Sequence, residues 1–243
     1  MGTLVYTELR LLTRSMEFLV LAVASPVVFF LVMSEVFGGL DTKGAVDMTT
    51  YIMISMAAFG AISGALAIGS RVALERQAGW HRQLRLTPLP GWSYVASKVA
   101  ASMVIVLPAL LLIFLAGLLV KGVDLTAEQW LRVLVASWVG ALPFAVLGPL
   151  IGLSAKPDAV SALTVSAFLL MAMFGGLFMP VEVMPEVMAT LAKALPSFWL
   201  AEHARNQVEG APIDPLGPAV VAAWFAVTAA LVVVLYRRDS QRV

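Results

Sequence analysis

Long stretches without a single charged residue constrain this chain more than any other feature of its sequence. A helix of about 20 residues crosses the hydrocarbon core of a bilayer, which is about 30 Å thick. A charge at mid-depth costs about 2.5–3.5 kcal/mol on insertion scales. Six charge-free runs, each roughly 17 to 23 residues long, therefore predict six transmembrane helices in an all-α membrane protein: Phe18–Ser34, Met48–Ser70, Val99–Val120, Val133–Ala155, Ala159–Val181 and Pro215–Tyr236.

The charge content agrees with this interpretation. Only 13% of the residues are charged and 60% are apolar, whereas soluble chains carry about 25% charged residues. A soluble domain of this size would need charge over most of its surface. The first run is long for the apolar part of a signal peptide, and no small-residue cleavage site follows it. We therefore expect an uncleaved first span.

The runs and their charged flanks predict a single membrane domain over residues 1–243. Residues 72–95 form the main loop on one side of the membrane, and residues 181–214 form the longest segment on the other. No internal repeat or low-complexity linker marks a second domain. The spans are expected near residues 16–36, 49–71, 96–120, 132–154, 159–180 and 215–236.

The distribution of Lys and Arg predicts the orientation. With the N-terminus inside, 11 of the 16 basic residues lie on the cytoplasmic side: Arg10, Arg14, Arg71, Arg76, Arg82, Arg85, Lys98, Lys156, Arg237, Arg238 and Arg242. The outer side holds Lys43, Lys121, Arg132, Lys193 and Arg205. The positive-inside rule then predicts that both termini and residues 72–95 are cytoplasmic, and that residues 181–214 face out.

The first fifteen residues are predicted to form an interfacial helix rather than a span. Their apolar and polar residues fall on opposite helical faces, as in helices that lie on a membrane surface. The alternative is an ordinary extension of the first span. The apolar stripe is Val5, Leu9, Leu12 and Met16, and the polar face is Thr3, Thr7, Arg10 and Arg14.

Residues 181–214 mix apolar and acidic side chains, and Gly175-Gly176, Pro180 and Pro185 interrupt the helix before them. This mixture favours re-entrant helices that dip into the outer leaflet before the last span. Such backbone breaks are tolerated where protein or water covers them. The alternative is a surface loop with scattered apolar residues.

Small residues four apart let neighbouring helices approach closely. Two such pairs lie inside the predicted spans, Gly60 with Gly64 and Gly148 with Gly152. Both are candidates for helix contacts, although such pairs also arise by chance in a chain rich in Gly and Ala.

The residue content argues against catalysis by this chain. There is no Cys, no H-E-x-x-H pattern and no G-x-x-x-x-G-K-[ST] loop to cradle ATP phosphates. The two histidines, His81 and His203, are predicted on opposite sides of the bilayer. The mid-depth parts of the spans hold no ionisable group, which disfavours an ion-coupled carrier. That carrier stays an alternative, because backbone carbonyls can bind sodium.

Two blocks of sequence resemble the ABC-2 family of transporter permeases, and the similarity spans nearly the whole chain. The first block has an E-R-x-x-G stretch, a T-P-hydrophobic stretch and a Lys at the start of the third span. Its residues are Glu75, Arg76, Gly79, Leu84, Thr87, Pro88, Leu89 and Lys98. The second block is Gly176-x-Phe178-x-Pro180-x-Glu182-x-x-Pro185, followed by Pro196 and Arg205.

The resemblance implies the permease subunit of an ATP-driven exporter in the bacterial cell (inner) membrane. In that family a pair of six-span permeases joins two ATPase subunits. A homodimer is the expected pair, and a heterodimer with a related permease is the alternative. ATP and Mg would be bound by the ATPases, so no cofactor is expected on this chain. The membrane lipid surrounds it, and no nucleic-acid partner is expected.

The resemblance also implies roles for both blocks. Glu75, Arg76, Gly79, Leu84, Thr87, Pro88 and Leu89 belong to a cytoplasmic coupling helix that docks on the ATPase. The alternative for this loop is that its arginines only hold it inside and touch anionic lipid. The uncharged spans favour a hydrophobic or amphiphilic cargo, such as a drug, antibiotic or lipid. A polysaccharide or glycolipid is the alternative, because aromatic linings can carry glycans.

Overall fold

The computed structural model describes residues 16–40, 46–79 and 92–241. The interfacial helix predicted for residues 1–15 lies outside the described residues. So do four of the predicted coupling residues, Leu84, Thr87, Pro88 and Leu89.

Every regular element in the described part of the chain is helical, so the prediction of an all-α protein is confirmed. A short 3-10 helix, Val181–Val183, precedes the last three α-helices. The helices are α1 (Met16–Phe37), α2 (Met48–Leu66), α3 (Ile68–Gln77), α4 (Trp92–Leu119), α5 (Ala127–Gly140), α6 (Leu142–Ser154), α7 (Pro157–Phe174), α8 (Glu186–Lys193), α9 (Pro196–Glu209) and α10 (Leu216–Gln241).

Five helical stretches among the described residues are long and apolar enough to cross a bilayer, which agrees with a multi-pass membrane protein. Two of them join consecutive helices, α2 with α3 and α5 with α6. The helix α1 is 22 residues long, and its part Ala24–Phe37 is also apolar. The sixth span stays a prediction for α1. The five stretches are Met48–Gln77, Ser93–Leu119, Ala127–Ser154, Pro157–Phe174 and Leu216–Tyr236.

Local chemistry explains where several helices begin and end. The side chain of Asp47 accepts a hydrogen bond from the Thr50 backbone N–H (3.1 Å) and starts α2. Thr126 and Gln129 form a reciprocal capping box at the start of α5. The helix α7 ends at Phe174, before the expected span end at 180, because Gly176 turns the chain with a left-handed φ of 73°.

The continuous helix α2–α3 forms the centre of the bundle. Of the residues in its 18-residue apolar stretch, 89% are buried. The corresponding share is 17% in α7 and 11% in α10. It packs against α1 and α4 along one part of its length and against α6 along another, while α10 packs on α6 and α9 packs on α5. Helices α7 and α10 therefore present most of their apolar surface outward.

Small residues let α3 and α6 approach closely. A β-carbon on Gly69 would lie 2.6 Å from the carbonyl oxygen of Gly148, and one on Gly148 would lie 2.8 Å from that of Ala65. A β-carbon on Gly152 would also meet the backbone of Gly69. The pair Gly148 and Gly152 thus marks a true helix contact. A β-carbon on Gly64 meets only Ile105, at 3.7 Å.

The bundle has two ends. We call the near end the one that holds the C-terminus of α3, the N-terminus of α4 and the junction of α6 with α7. The far end holds the connections α1–α2 and α4–α5 and the segment from Gly175 to α10. The near end was predicted to be cytoplasmic and the far end to face out.

Candidate functional site

A half-buried ion pair joins the two helices that flank residues 80–91. Glu75 lies in the last turn of α3, and Lys98 lies in the second turn of α4. Lys98 Nζ is 2.5 Å from Glu75 Oε1, and the Lys98 side chain is completely buried. The Tyr94 hydroxyl donates to Glu75 Oε2 at 2.8 Å. Both carboxylate oxygens therefore have a donor, which a buried charge needs to offset its loss of hydration.

Aromatic contacts extend this pair to a third helix. The Tyr94 ring stacks on the Tyr236 ring of α10, with centroids 5.8 Å apart and an interplanar angle of 21°. Lys98 Nζ lies 5.3 Å from the centroid of the Tyr94 ring, within the range of a cation–π contact. We call Glu75, Tyr94, Lys98 and Tyr236 the near-end cluster.

Arg76 links the same turn of α3 to a fourth helix. Its Nη1 donates to the carbonyl of Leu153 near the C-terminus of α6. The last carbonyls of a helix have no partner within the helix, and they favour a cation. Glu75 and Arg76, predicted as residues of an ATPase contact, thus both have partners within the permease itself.

Gly79 follows α3 and has a left-handed φ of 71°, with open space around it. This conformation suits glycine because it has no β-carbon. The chain turns out of α3 here and enters residues 80–91.

At the far end, a buried arginine joins α9 to α2. Arg205 is 6% exposed. Its Nη2 donates to Ser55 Oγ at 2.9 Å, and its Nη1 donates to Glu202 Oε2 at 3.2 Å. The guanidinium carbon lies 3.9 Å from the centroid of the Tyr51 ring. Tyr51 in turn donates its hydroxyl hydrogen to the Gly176 carbonyl, at 3.4 Å.

The sequence singled out Arg205 but missed Tyr51 and Ser55. Both are uncharged residues inside a predicted span, where nothing in the pattern distinguishes them from their neighbours. Only the packing of α9 against α2 brings them to the guanidinium.

The other predicted far-end residues organise the segment between α7 and α9. Pro180 precedes the 3-10 helix that contains Glu182, and Pro185 and Pro196 stand at the starts of α8 and α9. Proline suits these places because its fixed φ is helical and it needs no backbone N–H partner there. Phe178 is exposed, and its ring meets that of Phe59 edge-on at 5.9 Å.

A groove of about 230 Å³ opens beside Tyr51 and Ser55, between α1, α2 and the chain after Gly176. Apart from these two residues its lining is apolar, with Met33, Phe37 and Phe178 among the contributors. An apolar cavity of about 150 Å³ can hold benzene, whereas drug-sized ligands occupy about 300–1,000 Å³. The groove can therefore hold one ring or a short alkyl chain, or part of a larger molecule.

Among the described residues, no group of three or more His, Asp or Glu side chains is arranged to hold a metal ion. His203 is half-buried at the far end, beside Trp199, with ring centroids 5.7 Å apart. Burial lowers the pKa of His203, against the opposing effect of Glu202 and Asp214.

Comparison with known proteins gives two matches. The family model described as ABC-2 type transporter matches residues 1–207. The Bacillus subtilis (strain 168) protein named "Putative transport permease YvfS" is 30% identical over 206 residues, which cover 84% of this chain and 83% of that protein.

Proposed function

Because this chain belongs to the ABC-2 type transporter family, we propose that it is the permease subunit of an ATP-driven exporter in a bacterial cell (inner) membrane. Family membership makes it a multi-pass membrane transport permease, a transport subunit rather than a catalytic one, as the sequence blocks indicated. The export direction, the energy source and the cargo are parts of the proposal.

The observation that carries the proposal is the way residues 80–91 are attached to the bundle. The helices on either side of them, α3 and α4, are joined by Glu75 and Lys98. The same turn is tied to α6 by Arg76 and, through Tyr94, to α10. A displacement of residues 80–91 would therefore reach four helices, as a connection to an external motor requires.

The motor in this proposal is a separate ATPase, present in two copies, which binds ATP and Mg. Glu75, Arg76, Gly79, Leu84, Thr87, Pro88 and Leu89 are the proposed coupling residues on the permease. Since Glu75 and Arg76 face their own bundle, their contribution is to shape the docking segment. The apolar Leu84 and Leu89 would supply direct contact.

The proposed assembly contains a second copy of the permease. Helices α7 and α10 leave most of their apolar surface uncovered, so either lipid or another copy must cover it. A two-fold pair is the commonest closed arrangement of identical subunits.

The proposed topology has six spans, with α1 as the first and both termini in the cytoplasm. The Lys and Arg bias supports this orientation. In it, α8 and α9 form a re-entrant hairpin at the outer face. The lengths of these helices, 8 and 14 residues, are too short for either to span a bilayer alone.

The proposed cargo is hydrophobic or amphiphilic. The far-end groove supports this class, because nearly all of its lining is apolar. A polysaccharide or glycolipid would need many hydrogen-bonding partners, of which the groove offers only Tyr51 and Ser55.

The test is reconstitution of the permease in proteoliposomes with its partner ATPase, which we expect to be encoded beside it, using a fluorescent single-chain amphiphile as cargo. The proposal expects co-purification of the two proteins and cargo movement that requires ATP. Cargo movement without the ATPase, driven by a proton or sodium gradient, would instead identify an ion-coupled carrier.

A further inference from the structure

Lys98 cannot contact the ATPase directly, because its side chain is completely buried among the helices of its own chain. We propose that Lys98 and Tyr94 are positioning residues, which with Glu75 hold the two helices flanking residues 80–91 as one unit and connect that unit to α10. This inference rests on the proposed function, since it concerns how a displacement of residues 80–91 enters the bundle.

The ion pair lies close to residues 80–91. Glu75 lies four residues before Gly79, which turns the chain after α3, and Lys98 lies near the start of α4. The helices on either side of residues 80–91 are therefore joined through Glu75, by Lys98 at 2.5 Å and by Tyr94 at 2.8 Å. While those contacts hold, a displacement of α3 at this end is transmitted to α4, and a displacement of α4 is transmitted to α3.

The ion pair also restricts sliding between α3 and α4. Apolar side chains pack without preferred direction, so helices held by them alone can slide past each other. Charge-assisted hydrogen bonds are short and directional, and Glu75 uses one oxygen for Lys98 and the other for Tyr94. Sliding of α3 along α4 would leave an ammonium group buried without a partner, which is costly in a dry interior.

The helix α10 connects the two ends of the bundle. Tyr236 stacks on Tyr94 at the near end. Twelve residues earlier on the same helix, Trp224 Nε1 donates to the Ala194 carbonyl between α8 and α9, at 2.9 Å. A helix rises about 1.5 Å per residue, so these contacts lie about 18 Å apart along α10. One continuous helix thus touches both the near-end cluster and the far-end hairpin.

The test compares variants of the reconstituted permease–ATPase complex by cargo moved per ATP hydrolysed. Lys98→Met and Glu75→Gln should each lower this ratio by about tenfold, equivalent to about 1.4 kcal/mol, and Lys98→Met should leave ATPase association within about twofold. The exchanged pair, Lys98→Glu with Glu75→Lys, should recover much of the ratio, because the attraction is restored. If the single variants keep the full ratio, the positioning role is wrong.

Two further variants test whether the loss of transport comes from misfolding or from the loss of any ion pair. The double variant Lys98→Met/Glu75→Gln removes both charges, so it should insert normally even if a lone buried charge prevents folding, and its ratio should still fall. The matched control is Lys121→Met, which breaks a pair of the same length with the exposed Glu35 at the far end. A ratio lowered equally by Lys121→Met would contradict a specific role for the near-end pair.

A second measurement separates this inference from the proposed function. Spin labels on Cys replacements of Gln77 in α3 and Arg238 in α10 report their separation in the purified permease, without ATP or ATPase. With one labelled copy per permease pair, we expect one narrow distance distribution in the parent, a broad one with Lys98→Met, and a narrow one again with the exchanged pair. An unchanged distribution in Lys98→Met would refute the positioning role, whatever the ATPase does. The expected distances without ATP-dependent transport would refute only the exporter assignment.

Discussion

The guanidinium of Arg205 lies over the ring of Tyr51, 3.9 Å from its centroid, and this contact fixes α9 against α2 at the far end of the bundle. Cation–π contacts of this kind contribute about 2 kcal/mol or more when they are shielded from water. Ser55 and Glu202 accept hydrogen bonds from the two ends of the same guanidinium. The planar guanidinium can stack on Tyr51 and donate to Ser55 and Glu202 at the same time.

We therefore predict that Arg205→Lys lowers the melting temperature of the purified permease, since an ammonium group cannot reproduce the fork. A loss of about 1–3 kcal/mol corresponds to a decrease on the order of 5 °C for a chain of this size. Thermal unfolding in detergent measures it. The control is Arg132→Lys, whose pair with Glu128 is exposed and contributes little. Equal melting temperatures for the two variants would contradict the anchoring role of Arg205.

Two glycines in the continuous helix α2–α3 should respond in opposite ways to the same substitution. Gly69→Ala places a β-carbon 2.6 Å from a backbone oxygen of α6, so we expect a loss of about 1–3 kcal/mol from overpacking. Gly64→Ala meets only ordinary contact at 3.7 Å and should be neutral or stabilising by up to about 1 kcal/mol through helix propensity. Thermal unfolding of both variants tests this prediction. A Gly69→Ala protein as stable as the parent would be incompatible with the close α3–α6 contact.

The orientation can be tested cleanly because the chain has no Cys. Single Cys replacements of Asp124 and Glu209 should react with an impermeant thiol reagent on intact cells. Replacements of Gln83 and Ser240 should react only after the cells are permeabilised. The reverse labelling pattern would place the near end outside and remove the basis for ATPase docking.

Two glycines in similar turns, one at each end of the bundle, allow a matched test of the coupling segment. Gly79 and Gly122 both have left-handed φ angles, 71° and 64°, and open space around them. Leucine should strain either turn by about 1–2 kcal/mol. Gly79→Leu, at the near end, should weaken ATPase association or lower the transport ratio, and Gly122→Leu, at the far end, should do neither. Co-purification and ATP turnover measure this.

Further variants of the same loop separate docking from lipid contact. Glu75→Ala and Pro88→Ala should leave insertion intact and impair ATPase coupling. If the loop only touches anionic lipid, loss of Arg82 and Arg85 should matter and Glu75→Ala should be harmless. Full ATPase association and full cargo-stimulated turnover in both Glu75→Ala and Gly79→Leu would disprove the coupling assignment.

The assembly has a defined stoichiometry in this proposal, with two permeases and two ATPases. Native mass measurement of the complex extracted in detergent should find that ratio. A complex with one permease and two ATPases would rule out the paired arrangement and leave α7 and α10 facing lipid.

The sequence by itself determined that this is an all-α, multi-pass membrane protein of the ABC-2 type. The hydrocarbon core requires each span to have a minimum length and disfavours charged residues at mid-depth. Both features can be identified along a sequence without knowledge of its fold. The Gly148 and Gly152 pair was visible for a similar reason, since spacing alone places two small residues on one helical face.

The tertiary structure determined which charged residues are buried and which partners they contact. Along the chain, Lys98 and Arg205 count only as one inner and one outer positive charge, and Glu75 and Arg76 resemble exposed loop residues. In the fold, Lys98 and Arg205 are buried, and Glu75 and Arg76 bind partners 23 and 77 positions away. A sequence pattern carries no distance between separate helices, whereas the strength of an ion pair or a hydrogen bond depends on that distance and on burial. The packing of α3 on α6 and of α9 on α2, together with the side-chain contacts between α3 and α4, therefore determined the partners of these residues.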